Sequence, residues 1–206
     1  MASRQIFHIT HLRNLSNIIA EGALLPDAEI RKRSTPIQNI GYSHIKNRRM
    51  RRPIRTGMEG TLGQYVPFNF CPRSVMLFVI KNGHQDYDGG QDHILHLVSS
   101  VDAVDKAKRP FVFTDIHADL DYAQHFDDLG VLEEVVEWSV MEMRYWNDPE
   151  VKKRRQAEFL VWQQCPWEAI IEIGTKTQAV ASDVKDALRN AEHQPRILVK
   201  PEWYYP

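Results

Sequence analysis

The chain has 206 residues, of which 43% are hydrophobic, 10% aromatic and 26% charged. That length holds one domain or at most two small ones, and the balance excludes a disordered chain, a collagen repeat and a coiled coil. The formal net charge of −1 argues on its face against a nucleic-acid partner. It conceals a segregation: residues 1–81 carry 13 Lys and Arg against 4 Asp and Glu, a local +9, while residues 82–206 carry 13 against 23, a local −10. Such asymmetry points to an anionic ligand at the basic half.

Taken in chain order, residues 5–8 read as a short strand, and 14–21 as a helix with Leu15, Ile18 and Ile19 on one face and Gly22 at its C′ position. Residues 23–25 read as a strand and 26–36 as a polar, basic loop. Residues 43–52 have helix formers and Pro53 stops them; Gly57, Gly60 and Gly63 then mark a flexible connection. The apolar run 75–80 reads as a buried strand, 83–90 as a turn and 93–99 as a strand. Residues 101–107 follow as a short helix, 111–114 as a strand, and 115–128 as a loop or short helix. Residues 129–145 form an amphipathic acidic stretch and 150–155 a charged helical turn. Strands over 159–162 and 170–173, a helix over 181–191 and a strand over 196–199 complete the chain. Strands and helices do not alternate as βαβ units would, so the expected class is α+β, a bent central sheet with helices packed on it, in one domain over 1–206.

Several motifs are absent. Gly57, Gly60 and Gly63 are spaced GxxGxxG, which is no Rossmann fingerprint, and there is no P-loop and no GxSxG. His8 and His11, like His93 and His96, are three apart, one short of a zincin pair, so no metal is expected. Cys71 and Cys165 form no CxxC pair and read as reduced, partly buried thiols. No signal-type apolar core opens the chain and no run reaches the ~18 residues of a membrane span, so the expectation is a cytoplasmic protein without membrane association.

Four constellations remain. Lys46, Arg48, Arg49, Arg51, Arg52 and Arg55 put six cations in ten residues. On a helix Arg48, Arg51, Arg52 and Arg55 share a face while Arg49 points elsewhere; the face is either an anion seat or simply solvated. Glu158 opens the apolar strand FLVW directly after a charged turn. It is either a rigidly held functional carboxylate or a strand-end partner of Arg154 or Arg155. His8 and Thr10 share one face of the first strand and offer hydrogen bonds to a ribose or an amide, or else are satisfied core groups. Thr114, Asp115, His117 and Asp119 follow a strand, where loops carry function, or cap a helix with an incidental histidine.

Six collinear blocks together resemble the DarT family of DNA ADP-ribosyltransferase toxins. They are FHITHLRNL (7–15), NIGYSHIKNRR (39–49), VPFNFCPRSVMLF (66–78), GGQDHILHLVSS (89–100), PFVFTDIHA (110–118) and RRQAEFLVW (154–162). The resemblance implies a compact ADP-ribosyltransferase fold that binds NAD without a Rossmann motif. It implies transfer of ADP-ribose from NAD to a thymine base in single-stranded DNA, within a short sequence context. It also implies a macrodomain antitoxin of the DarG type that removes the mark. NAD contacts carry over to His8, Ile9, Thr10, Asn17 and Leu25, and the catalytic pair to Arg49, itself also an NAD contact, and Glu158. The DNA-reading segment carries over to residues 117–155, with His117, Lys152, Arg154 and Arg155, beside Arg48 and Arg51 of the basic segment.

The chemistry fits these residue types. Cleaving the nicotinamide–ribose bond builds positive charge at C1′, which a carboxylate such as Glu158 stabilises. A thymine ring nitrogen must lose its proton to attack. An arginine is a poor base, so Arg49 is expected to clamp the NAD phosphates or stabilise the deprotonated base, and Glu158 or His117 to take the proton. Tyr42, Tyr65, Phe68 and Phe70 are candidate stacking aromatics for a single strand. The alternatives are an ADP-ribosyltransferase acting on RNA or protein, and a non-catalytic nucleic-acid-binding module.

Overall fold

The computed structural model of the protein describes residues 4–33 and 36–206. The chain opens with β1 (Gln5–His11), α1 (Leu15–Glu21), β2 (Ala23–Leu24), α2 (Asp27–Lys32) and α3 (Ser43–Arg49). A small hairpin, β3 (Pro53–Ile54) with β4 (Gly60–Thr61), leads into β5 (Tyr65–Asn69), α4 (Val75–Asn82) and β6 (Ile94–Ser100). Then come α5 (Val101–Lys106), β7 (Phe111–Thr114), β8 (His125–Phe126), α6 (Leu132–Val135), α7 (Trp138–Glu142) and α8 (Pro149–Arg154). The chain closes with β9 (Glu158–Trp162), β10 (Cys165–Pro166), β11 (Glu172–Thr175), α9 (Gln178–Leu188) and β12 (Arg196–Val199).

Eight of these strands make one mixed sheet in the order β12-β11-β6-β1-β5-β9-β7-β8. Only β11 and β12 run parallel; the other neighbours are antiparallel. This is the α+β arrangement expected. Alternation along the strands separates two faces. Ile6, Phe68, Leu97, Phe113, Phe159 and Ile173 lie in the largest core cluster, against Val104 of α5 and Val184 of α9. Tyr65, Val112, Leu160 and Trp162 pack with Ile54 and Leu62 in a second cluster. Leu77, Ile80, Ile94, Tyr204 and Tyr205 form a third.

One pairing shapes the site. β1 is zipped to β6 over all seven residues, but meets β5 at a single pair, Phe7 with Asn69, and the two strands then part. Asn69 in turn pairs with Glu158, so Phe7, Asn69 and Glu158 form a row across three strands.

Three expectations need correction. The run 75–80 is helix α4, not a strand. Ser74 caps it by accepting the Leu77 N–H at 3.1 Å, and Val75, Leu77 and Ile80 are buried while Phe78 stays 40% exposed. A short, continuously apolar run carries no period, and the cap decides. Residues 26–36 are not all loop: Asp27 and Glu29 sit in the first turn of α2, and Arg31 and Lys32 in the last, matching the helix dipole. Positions 34 and 35 of that stretch lie outside the described residues. The amphipathic acidic stretch 129–145 folds as two short helices after a 3-10 turn. The strand expected at 170–173 lies at Glu172–Thr175. Gly22 does stand in the left-handed region, φ 67°, at the end of α1.

Among the described residues no helix is long and apolar enough to cross a membrane. No group of three or more His, Cys, Asp or Glu among them is placed to hold a metal ion.

Candidate active site

Glu158 is the first residue of β9 and Arg49 the last of α3, and both are buried. Arg49 Nη1 and Nη2 donate to Glu158 Oε1 and Oε2 at 3.0 and 2.9 Å, a bidentate clamp. The Ala118 N–H donates to Oε1 at 3.1 Å, and His117 Nε2 stands 3.8 Å from the same oxygen. The Glu158 N–H is held by Thr114 Oγ1 at 3.0 Å. Burial pushes the Glu158 carboxyl up, but the Arg49 charge, His117 and the bonds from Arg49 and Ala118 outweigh it and hold the group below its ordinary value. Arg49 is opposed by burial and raised by Glu158, Asp27 and Asp119. Burial lowers His117, with Glu158 only partly offsetting it, so His117 is neutral at pH 7.

The first strand supplies a pocket. His8, Thr10, Asn17 and Leu25 line it together with Asn14, Ile18 and Ala23. His8 Nδ1 bonds the Pro67 carbonyl at 2.8 Å across the parting of β1 and β5. Burial lowers the His8 pKa against that bond; Lys46 lowers it further and Asp27 raises it. Asn14 Nδ2 donates to Thr10 Oγ1 at 3.1 Å and to the Gln38 carbonyl at 3.0 Å, fixing the pocket wall. Asp27 and Lys46 pair at 2.7 Å. Asp27 acts on both His8 and Arg49, so pocket and clamp share one electrostatic environment.

Several expected residues stand elsewhere. Ile9 turns its side chain away from the pocket and packs on the third core cluster, as strand alternation requires. Arg155 is 2% exposed and donates to the carbonyls of Val140, Met141 and Arg73, so it is a buried structural cation and not a DNA contact. Glu158 pairs with neither Arg154 nor Arg155; Arg154 pairs with Glu137 at 3.2 Å. Lys152 is exposed on α8. The basic face over Arg48, Arg51, Arg52 and Arg55 does not form, because α3 ends at Arg49. Arg48 bonds Asp119, Arg52 stands 3.6 Å from it as an ion pair and bonds Asp121, and Arg51 is exposed. Tyr65, Phe68 and Phe70 are core residues and offer no stacking surface. Asn14, Asp27 and the Ala118 N–H escaped sequence reasoning. Asn14 enters the sequence reading only as the first residue of a helix, and the other two act through contacts distant in sequence.

Residues 7–205 match the family model described as "ssDNA thymidine ADP-ribosyltransferase, DarT". The chain belongs to the DarT family. DarT enzymes carry out ADP-ribosyl transfer to thymidine in single-stranded DNA. The DNA ADP-ribosyl transferase of Thermus sp. (strain 2.9) is 44% identical over 204 residues, covering 97% of this chain and 95% of that protein. The structure of Thermus sp. 2.9 DarT with ADP-ribosylated ssDNA superposes with a TM-score of 0.93 at 42% identity, covering 100% of this chain and 98% of that one. The same DarT with NAD+ gives 0.88 at 39% identity, covering 100% and 99%. A transferase–glycohydrolase fusion protein of Thermosipho africanus is 26% identical over 191 residues, covering 91% of this chain and 46% of the fusion.

Proposed function

We propose that this chain cleaves NAD at the nicotinamide–ribose bond and joins the ADP-ribose to a thymine of single-stranded DNA, with Glu158 and Arg49 at the reacting centre. The buried Arg49–Glu158 clamp, electrostatically coupled to the His8–Thr10 pocket, carries this reading. Glu158 is ionised at neutral pH, as a carboxylate must be to face the cationic ribose and hold its 2′-hydroxyl. His8 and Thr10 hold the nicotinamide ribose and carboxamide, with Asn17 and Leu25 completing the seat and Ile9 contributing backbone only. The C1′–nicotinamide bond breaks with its electron pair leaving on nicotinamide, and the thymine ring nitrogen closes on C1′.

Arg49 is no base, since its surroundings raise an already high pKa. It steadies the developing thymine anion, and neutral His117 takes the ring proton. Exposed Lys152, Arg154 and Arg51 meet phosphates. No step is routed through a metal. The protein acts in the cytoplasm, as one domain over 1–206, beside a DarG-type macrodomain antitoxin, a pairing for which the Thermosipho africanus fusion is the support.

The test is mass spectrometry of thymine-containing single strands, duplexes, RNA and protein after incubation with NAD. One ADP-ribose per modified thymine is expected on single strands, with Glu158→Gln about a thousandfold slower. Modification of RNA or protein alone, or DNA binding without nicotinamide release, would sink the reading in favour of the other transferase or the binding module.

A further inference from the structure

Asp119 stands next to the reacting groups but has not been given a role. Its side chain is wholly buried, and it bonds the Arg48 guanidinium, with Arg52 Nε at 3.6 Å from its other oxygen. A carboxylate withdrawn this far from water is held only where its partners are fixed. Those partners come from the end of α3, the helix whose last residue clamps Glu158.

The contacts close a ring. Arg48 and Arg49 are adjacent on α3. Arg49 holds Glu158, Glu158 accepts the Ala118 N–H, Ala118 precedes Asp119, and Asp119 returns to Arg48. His117 sits on the same tight turn, closed by the Leu120 N–H on the His117 carbonyl at 3.1 Å. The turn lies between β7 and β8, where Thr114 Oγ1 donates to the Ile116 carbonyl at 2.6 Å and Ala118 packs in the second core cluster.

We propose that Asp119 is a positioning residue for the transfer: bound by Arg48 and Arg52, it locks the 117–119 turn so that the Ala118 N–H and His117 stay aligned on Glu158. Arg48 then belongs to this strut and is not a phosphate contact. The inference rests on the role given above to Glu158.

Asp119→Asn, Asp119→Glu and Arg48→Gln are compared with the unaltered chain. Measured are kcat, KM for NAD, DNA affinity across salt, and the Glu158 titration by carbon-13 carboxyl NMR, assigned through Glu158→Gln. Asp119→Asn lowers kcat on the order of a hundredfold, as misalignment at a reacting centre does. KM for NAD stays unchanged, because the pocket is built from other elements. Glu158 titrates at higher pH, since a loosened Ala118 N–H no longer favours its ionised form. Asp119→Glu, which keeps the charge, recovers most of kcat. An unmoved Glu158 titration with unchanged kcat overturns the strut. So does a loss of DNA affinity with a shallower salt slope and intact kcat, which makes Arg48 a phosphate contact. If Asp119→Asn does not fold, Arg48→Gln breaks the strut from its half-exposed end under the same expectations, and an unmoved titration there is equally fatal. If the unaltered chain modifies no DNA, the proposed function fails, while the NMR titration still decides the strut.

Discussion

Arg155 and Glu158 are three positions apart and both buried, yet their charges are satisfied in different ways. Arg155 is held by backbone carbonyls from two segments, so its removal takes a donor from each of three carbonyls and opens a gap. Arg155→Met is expected to cost about 3 kcal/mol of stability, read as a lower melting temperature. Lys152→Ala leaves melting unchanged, weakens single-strand binding and flattens its salt dependence by about one unit of slope. A Lys152→Ala variant with an unaltered salt slope removes Lys152 from the DNA surface. The residue types of the site were legible: a carboxylate opening a strand, a paired histidine and threonine, an arginine off the basic face. Which arginine meets which carboxylate was not, because Arg49 and Glu158 are 109 positions apart and only the folded sheet brings α3 to β9.

At the scale of elements, local signals succeeded where a period or a cap was explicit and failed where tertiary contacts decided. α1 with Gly22, α5, β7 and β12 follow from their patterns. β5, where the sequence reading places no element, holds Pro67 and Asn69, residue types depleted in strands. The structure gives the reason it survives. The Pro67 carbonyl reaches His8, so its bonding edge faces β1 just where that strand has parted, and the missing N–H removes no ladder bond. α4 rests on Ser74, whose hydroxyl holds its first turn. Ser74→Ala is expected to destabilise by about 1 kcal/mol, measured by denaturant unfolding with an unchanged m value; no loss means the apolar packing alone sets the helix.

Across the whole molecule the charge segregation has a different meaning from the one its totals offered. Cations of the basic half meet carboxylates of the acidic half: Arg4 with Glu133, Arg48 and Arg52 with Asp119, Arg49 with Glu158. The asymmetry therefore serves internal pairing as well as an anionic ligand. The buried histidines add a pH dependence. Burial lowers His8 and His117, and His96 to about 4 despite its bond to the Pro72 carbonyl. Below pH 6.5 the unfolded chain takes up protons that the folded chain refuses, so stability is full above that pH and declines as pH falls toward 4. His96 alone accounts for on the order of 3 kcal/mol across that window. Thermal melts at pH 7 and pH 5 are expected to differ by several degrees, and a flat profile contradicts the burial argument. Glu158 works in the same direction at the acid end: its lowered carboxyl favours the folded chain above the ordinary glutamate range, and that contribution is lost as pH falls below it.

The Glu158 clamp has a last consequence, which concerns how many partners one carboxylate can serve. Its two oxygens offer about four lone-pair positions. Arg49 and Ala118 together occupy three of them, two on Oε1 and one on Oε2. The group is left monovalent toward the substrate. It can seat the ribose hydroxyl, and once it has done so it has no acceptor with which to activate water. An enzyme whose carboxylate is saturated by its first guest hands the sugar to a base and does not squander it on hydrolysis.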